Sequence, residues 1–186
     1  MRDKQKPGKT SAKRLTPPQK AAFWGVLSAL ALALSWAESF LAPFLNLPMG
    51  VKPGLSNIAV MMASNLLGLP AGLAVAAAKA VFAGLTRGLT AMLLSGVGGI
   101  VSALLVGVLL RRGGGQQAAR SLSEIGIGML GGAAHNMAQL AVAALLMRTQ
   151  GVLWAAPWLL LCGALAGAVT GTAVKLLRKI KWEVFL

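Results

Sequence analysis

The sequence predicts an all-α integral membrane protein of six transmembrane helices, on three observations. The chain is 56% hydrophobic and only 12% charged, where the surface of a soluble domain needs about a quarter charged residues. Its apolar runs each approach the ~20 residues that carry a helix across a hydrocarbon core. Its charges are confined to a tail, short connections and a few isolated positions within apolar runs. The runs are continuously apolar, without the alternation of barrel strands, so internally hydrogen-bonded helices are the structure lipid permits.

Taken in order, residues 1–20 hold Pro7, Pro17, Pro18 and many lysines and arginines with no apolar period. This stretch reads as a disordered basic cytoplasmic tail. The six-helix domain is expected over 21–180, and 181–186 as a short cytoplasmic end. A first helix is placed at 21–45. Ala31-Leu32-Ala33 mimics a signal-peptide cleavage site, but the apolar run continues well past it, so the helix is read as retained. Pro43, Pro48, Pro53 and Gly54 then make an irregular outer connection. A short second helix is expected over 55–67, beginning outside and partly re-entrant in one reading. Gly68-Leu69-Pro70 turns the chain into a third helix over 71–89. The fourth is placed at 91–110, followed by a polar loop through Arg111, Arg112, Gly113 and Arg120. The fifth and sixth are placed at 122–147 and 153–177.

Six spans put both termini on one side. That side would carry fourteen of the eighteen Lys and Arg residues, against Lys52, Arg87 and Arg148 on the other and Lys79 within a helix. The bias predicts both ends in the cytoplasm. It also accounts for the +14 formal charge by flanking the spans and attracting anionic lipid, which argues against nucleic-acid binding. Cys162 is the single cysteine, so no intrachain disulfide or thiolate metal site is expected. With no tyrosine in the chain, the membrane interface falls to Trp24, Trp36, Trp154, Trp158 and Trp182.

Polar groups inside membrane helices are costly and usually face a partner or a cavity. Under the predicted orientation Glu38, Asn57, Lys79, Arg87, His135, Asn136 and Gln139 collect in the outer half, with Lys52 in the outer connection. His135 and Gln139 are four residues apart and share a helix face. One reading is a solute site. The other is interhelical glue worth about 1 kcal/mol per contact, which is preferred for Ser64, Asn65 and Ser95. Arg87 can also snorkel to headgroups, Lys52 can be a solvated loop charge, and Glu38 can pair with one of the cations. One acid against three bases suits an anionic or zwitterionic solute. No catalytic set, metal site or cofactor site is predicted.

Gly25, Ala29, Ala33 and Ala37 recur every fourth residue along the first helix. Such small-residue spacing lets another helix approach closely, within the bundle or from outside it. Gly163, Gly167 and Gly171 repeat the pattern in the sixth helix.

Three segments carry a family resemblance. Pro53-Gly54-Leu55-Ser56-Asn57-Ile58 resembles an "lGLaN" signature, Ala134-His135-Asn136-Met137-Ala138-Gln139-Leu140 an "aHNlgQl" signature, and Glu38-Ser39-Phe40 the "iEs" that ends a first helix. Together they resemble the Gx transporter family, whose members carry the label heptaprenyl diphosphate synthase component I. That family is similar to the substrate-binding S components of energy-coupling factor (ECF) transporters. The resemblance implies an S-component-like bundle in a bacterial cytoplasmic membrane that captures a micronutrient, such as a vitamin, from the extracytoplasmic side. It further implies a membrane T subunit and two ATPase subunits as partners, with the strip Gly25, Ala29, Ala33 and Ala37 docking the T subunit. The long basic tail departs from the family pattern.

The synthase label meets a chemical objection. Prenyl transfer uses acid-rich segments that hold magnesium against diphosphate, whereas Asp3, Glu38, Glu124 and Glu183 are the only acids and do not cluster. Nor is there a phosphate-binding Gly-rich loop, so ATP hydrolysis would fall to another chain. The alternative from a different class is a membrane accessory subunit that binds a prenyl diphosphate for a soluble synthase.

Overall fold

A computed structural model describes residues 16–41, 44, 54–112 and 122–179. The described residues form six helices: α1 (Pro17–Leu41), α2 (Asn57–Leu66), α3 (Leu69–Arg87), α4 (Leu89–Arg112), α5 (Glu124–Met147) and α6 (Ala156–Lys179). A 3-10 turn at Gly151–Ala155 leads into α6. Five of the helices are long and apolar enough to cross a membrane. The exception is α2, whose 10 residues span roughly 15 Å, half a hydrocarbon core. The predicted fold class holds, and the chain is a multi-pass membrane protein.

The helix boundaries follow local signals. The first helix starts at Pro17, inside the stretch read as a tail. The Gln19 side chain accepts from the Thr16 backbone N–H at 2.8 Å, half of a capping box, and proline is tolerated in a helix's first turn. Gly68 (φ 95°) and Gly88 (φ 88°) make the short links either side of α3, in a backbone region that side chains with a Cβ disfavour. Ser123 caps α5 by accepting from the Gly126 N–H at 3.1 Å.

Burial sets α2 apart from the longer helices. Seven of its ten residues are buried, and it touches α1, α3, α4 and α6. It packs among those four helices. By contrast α1 lies at the edge, packed on α2 and α3. Only Leu27, Ala31, Ser35 and Glu38 of α1 are buried, a narrow stripe at helical spacing. Val26, Trp36 and Phe40 point outward at 56–67% exposure.

The most extensive interface joins α5 and α6. Association between apolar helices in lipid depends on close packing, and here glycine backbones meet directly. A Cβ added to Gly163 would lie 2.6 Å from the Gly132 carbonyl oxygen, and one on Gly171 would lie 2.6 Å from Ile125 Cα. A Cβ on Gly167 would run into the Gly128 carbonyl. The Gly163, Gly167 and Gly171 strip is therefore internal packing, matched by Gly128 and Gly132 across the interface.

Candidate functional site

A polar cluster forms where α1 ends, α2 begins, and α3 and α5 pass at mid-length. Glu38 accepts from the Ser56 backbone N–H at 2.9 Å and from the Ser56 hydroxyl at 3.1 Å. A carboxylate at this point also faces the positive end of the α2 dipole. Lys79 donates to the Ser56 hydroxyl at 3.1 Å and to Asn57 Oδ1 at 3.0 Å. Ser56 therefore relays between the acid and the base, and all four side chains are buried.

This geometry sets the depth of the site. Helical rise places Lys79 roughly 15 Å from the start of α3 and roughly 12 Å from its end. Glu38, about one turn from the end of α1, bonds the same Ser56 that Lys79 reaches from mid-α3, so the cluster spans the levels between them.

Three residues of α5 extend the cluster. His135, Asn136 and Gln139 are all buried. Gln139 Nε2 and His135 Nε2 stand 2.9 Å apart. Asn136 Nδ2 donates to the Leu159 carbonyl of α6 at 3.0 Å, so that amide is glue on one side. The His135 ring is pressed against α4, where a Cβ on Gly98 would lie 2.9 Å from its Nδ1. Gly54 (φ +87°) closes the group, since a Cβ there would lie 3.3 Å from His135 Cδ2, 3.4 Å from Asn57 Nδ2 and 3.9 Å from Asn136 Oδ1. Only glycine fits that conformation and that space comfortably.

Buried polar atoms in proteins nearly always have partners. Asn57 Nδ2 and Asn136 Oδ1 are buried and make no hydrogen bond within the protein. Interhelical glue accounts for the other ends of these side chains and leaves these atoms unexplained.

Of the predicted residues, the structure joins Glu38, Asn57 and Lys79 by hydrogen bonds and sets His135, Asn136 and Gln139 beside them. Arg87 is half-buried at the α1–α3 contact, 3.4 Å from the Ser35 hydroxyl, at the margin of the cluster. Lys52 lies outside the described residues. The sequence reading missed Ser56 as the relay and Gly54 as the closing wall, although both fall in the Gly54-Leu55-Ser56-Asn57 segment it singled out. Gly98 carried no sequence signal. A crevice lined by Asn57, Met61, Ser102, Gly131 and Thr170, among others, has room for about one water, too little for a solute.

The second predicted feature resolves differently. Gly25, Ala29, Ala33 and Ala37 are all exposed. They sit two positions from Leu27, Ala31 and Ser35, about 200° around the helix and so on the far side from the buried stripe. Nothing lies within 4 Å of where a Gly25 Cβ would be. Packing inside this bundle does not use the strip.

The fold and cluster define a class: a helical multi-pass membrane protein with a charged and amide network buried among its spans. The chain belongs to the family described as heptaprenyl diphosphate synthase component I, which matches residues 27–177. No curated protein and no solved structure matches it.

Proposed function

We propose that the chain is the substrate-binding subunit of an ECF-type importer. It captures a small micronutrient from the extracytoplasmic side of a bacterial cytoplasmic membrane. Both termini face the cytoplasm, and the chain itself is not an enzyme. A membrane T subunit docks on the exposed strip of α1, and two separate ATPases drive release. The observation that carries this reading is the cluster: polar side chains from α1, α2, α3 and α5 meet among buried residues and leave buried amide atoms unpaired. A membrane scaffold gains nothing from that expense, whereas a solute site uses it.

The family description favours a second reading, an accessory subunit that binds a prenyl diphosphate for a soluble synthase. Charge disposition weighs against it. A diphosphate site needs free cations or acids that hold magnesium, while Lys79 is engaged by Ser56 and Asn57 beside Glu38.

The test is affinity purification of the full chain from its native membranes. The importer reading expects a T subunit and ATPases in the eluate. Ala29→Leu and Ala33→Leu should remove them while the chain stays folded, because both positions are exposed. Recovery of a soluble prenyl synthase without ATPases would replace this reading with the second.

A further inference from the structure

We propose that the crevice where α2, α4, α5 and α6 meet is a binding site for one ordered water, which joins the Lys79 network to α4 and α6. The site goes beyond the importer reading and does not depend on it.

One end of Asn57 has no partner. Lys79 can only donate, so the Asn57 atom facing it at 3.0 Å is the oxygen. That leaves the NH₂, whose nitrogen is buried and unpaired in a residue only 4% exposed. Asn57 and Met61 stand four residues apart, on one face of α2, and both line the crevice. Ser102 of α4, Gly131 of α5 and Thr170 of α6 line it from the other sides. Ser102 and Thr170 are buried as well.

The lining dictates what the crevice takes. Its room is that of about one water. The Asn57 NH₂ needs an acceptor. The Thr170 hydroxyl spends its proton on the Ala166 carbonyl at 2.9 Å, so it offers only lone pairs and needs a donor. A Cβ on Gly131 would lie 3.3 Å from Ser102 Oγ. Glycine leaves that side of the hydroxyl open, and a hydroxyl can donate or accept. The occupant must therefore accept, donate and be no larger than water. Water does all three, and Asn57, Ser102 and Thr170 give it the number of polar partners that holds a buried water in place.

Other small occupants fail on the same grounds. A metal or ammonium cation cannot accept from Asn57, and it would stand one amide away from the Lys79 ammonium. A halide can accept but has nothing to give Thr170. A lipid methyl would leave the Asn57 nitrogen buried with no partner. Water accounts for the Asn57 nitrogen only, and the Asn136 oxygen stays unpaired. Through Asn57 the bridge extends the Glu38–Ser56–Lys79 relay to the side of the bundle built on α4 and α6.

Radiolytic footprinting of the purified full chain in detergent tests the site. X-rays split water into hydroxyl radicals, which oxidise methionine only where a water stands beside it or bulk solvent reaches it. Met61 and Met62 are 3% and 6% exposed, and adjacent residues point about 100° apart around a helix, so Met62 is the control for access from bulk. Read by tandem mass spectrometry, Met61 should be oxidised several times faster than Met62. Thr170→Val keeps the volume and removes the lone pairs, and Ser102→Ala removes the other hydroxyl. Each should slow Met61 to near the Met62 rate, while a cooperative unfolding transition shows that the variant is folded. The wild-type ratio decides without any variant. A Met61 rate no greater than that of Met62 in the wild-type chain overturns the site, as it would if an ion filled the crevice. A fast Met61 that both folded variants leave unchanged overturns it too, since the oxidant then comes from bulk. The importer reading fails separately, by loss of the T subunit and ATPases from the eluate.

Discussion

Replacing Lys79 with methionine tests whether the central network holds the bundle together. Lys79 is 1% exposed and Glu38 2% exposed, and Ser56 joins them with two bonds of 3.1 Å. Methionine fills similar volume but leaves the Glu38 carboxylate buried without its cation. Breaking a buried charge pair from one side costs about 3–5 kcal/mol. Asn57 Oδ1 also loses its partner, so both ends of that amide become unpaired. Glu38→Gln alone strands the cation in the same way, although the glutamine oxygen can still accept from Ser56. The double variant strands neither charge. It should be less destabilised than the sum of the singles, with a coupling of about 1–3 kcal/mol. The assay is unfolding of the four proteins in mixed micelles by titration with a denaturing detergent. If Lys79→Met and Glu38→Gln add to within about 0.5 kcal/mol, the relay through Ser56 is not an energetic unit. If Lys79→Met leaves stability unchanged, Lys79 is held apart for a ligand and the structural role is refuted.

Two further outcomes are expected. Gly167→Ala should destabilise the bundle by about 1–3 kcal/mol or more, because the new Cβ meets the Gly128 carbonyl. Gly25→Ala should cost nothing, since no atom lies within 4 Å of its Cβ position; comparing the two in the same detergent titration checks the assignment of inward and outward strips, and equal losses would reject it. Single cysteines at Gly114 and Met49, in a Cys162→Ala background, should label from opposite faces of the membrane with Gly114 inside; labelling of Gly114 from outside intact cells would reverse the orientation.

The two small-residue strips show where sequence reading stops. Gly25, Ala29, Ala33 and Ala37 and the trio Gly163, Gly167 and Gly171 have the same spacing. One faces away from the bundle and the other meets Gly128 and Gly132 backbone to backbone. Spacing defines a flat face, but only the position of a helix in the bundle decides what covers it. The start of α1 was a different kind of miss. Thr16-Pro17-Pro18-Gln19 contains a capping signal that the basic, proline-rich composition around it obscured.

Membrane class, helix number and the inventory of polar groups were set by the sequence alone, because lipid admits few alternatives for long apolar runs and penalises every polar group placed in them. His135, Asn136 and Gln139 could be assigned to one stretch of helix from their spacing, since helical geometry is local. Which groups meet across helices was a tertiary decision. Asn57 reaches Lys79 because α2 is buried and begins beside α3, and nothing in ten residues of local sequence specifies that placement. The pairing of Glu38 with Lys79 through Ser56 likewise depends on three helices arriving together. It makes Lys79 and Glu38 one balanced pair and leaves Arg87 at the margin. The unpaired ends of Asn57 and Asn136 beside Gly54 could likewise be recognised only once the partners of their other ends were known.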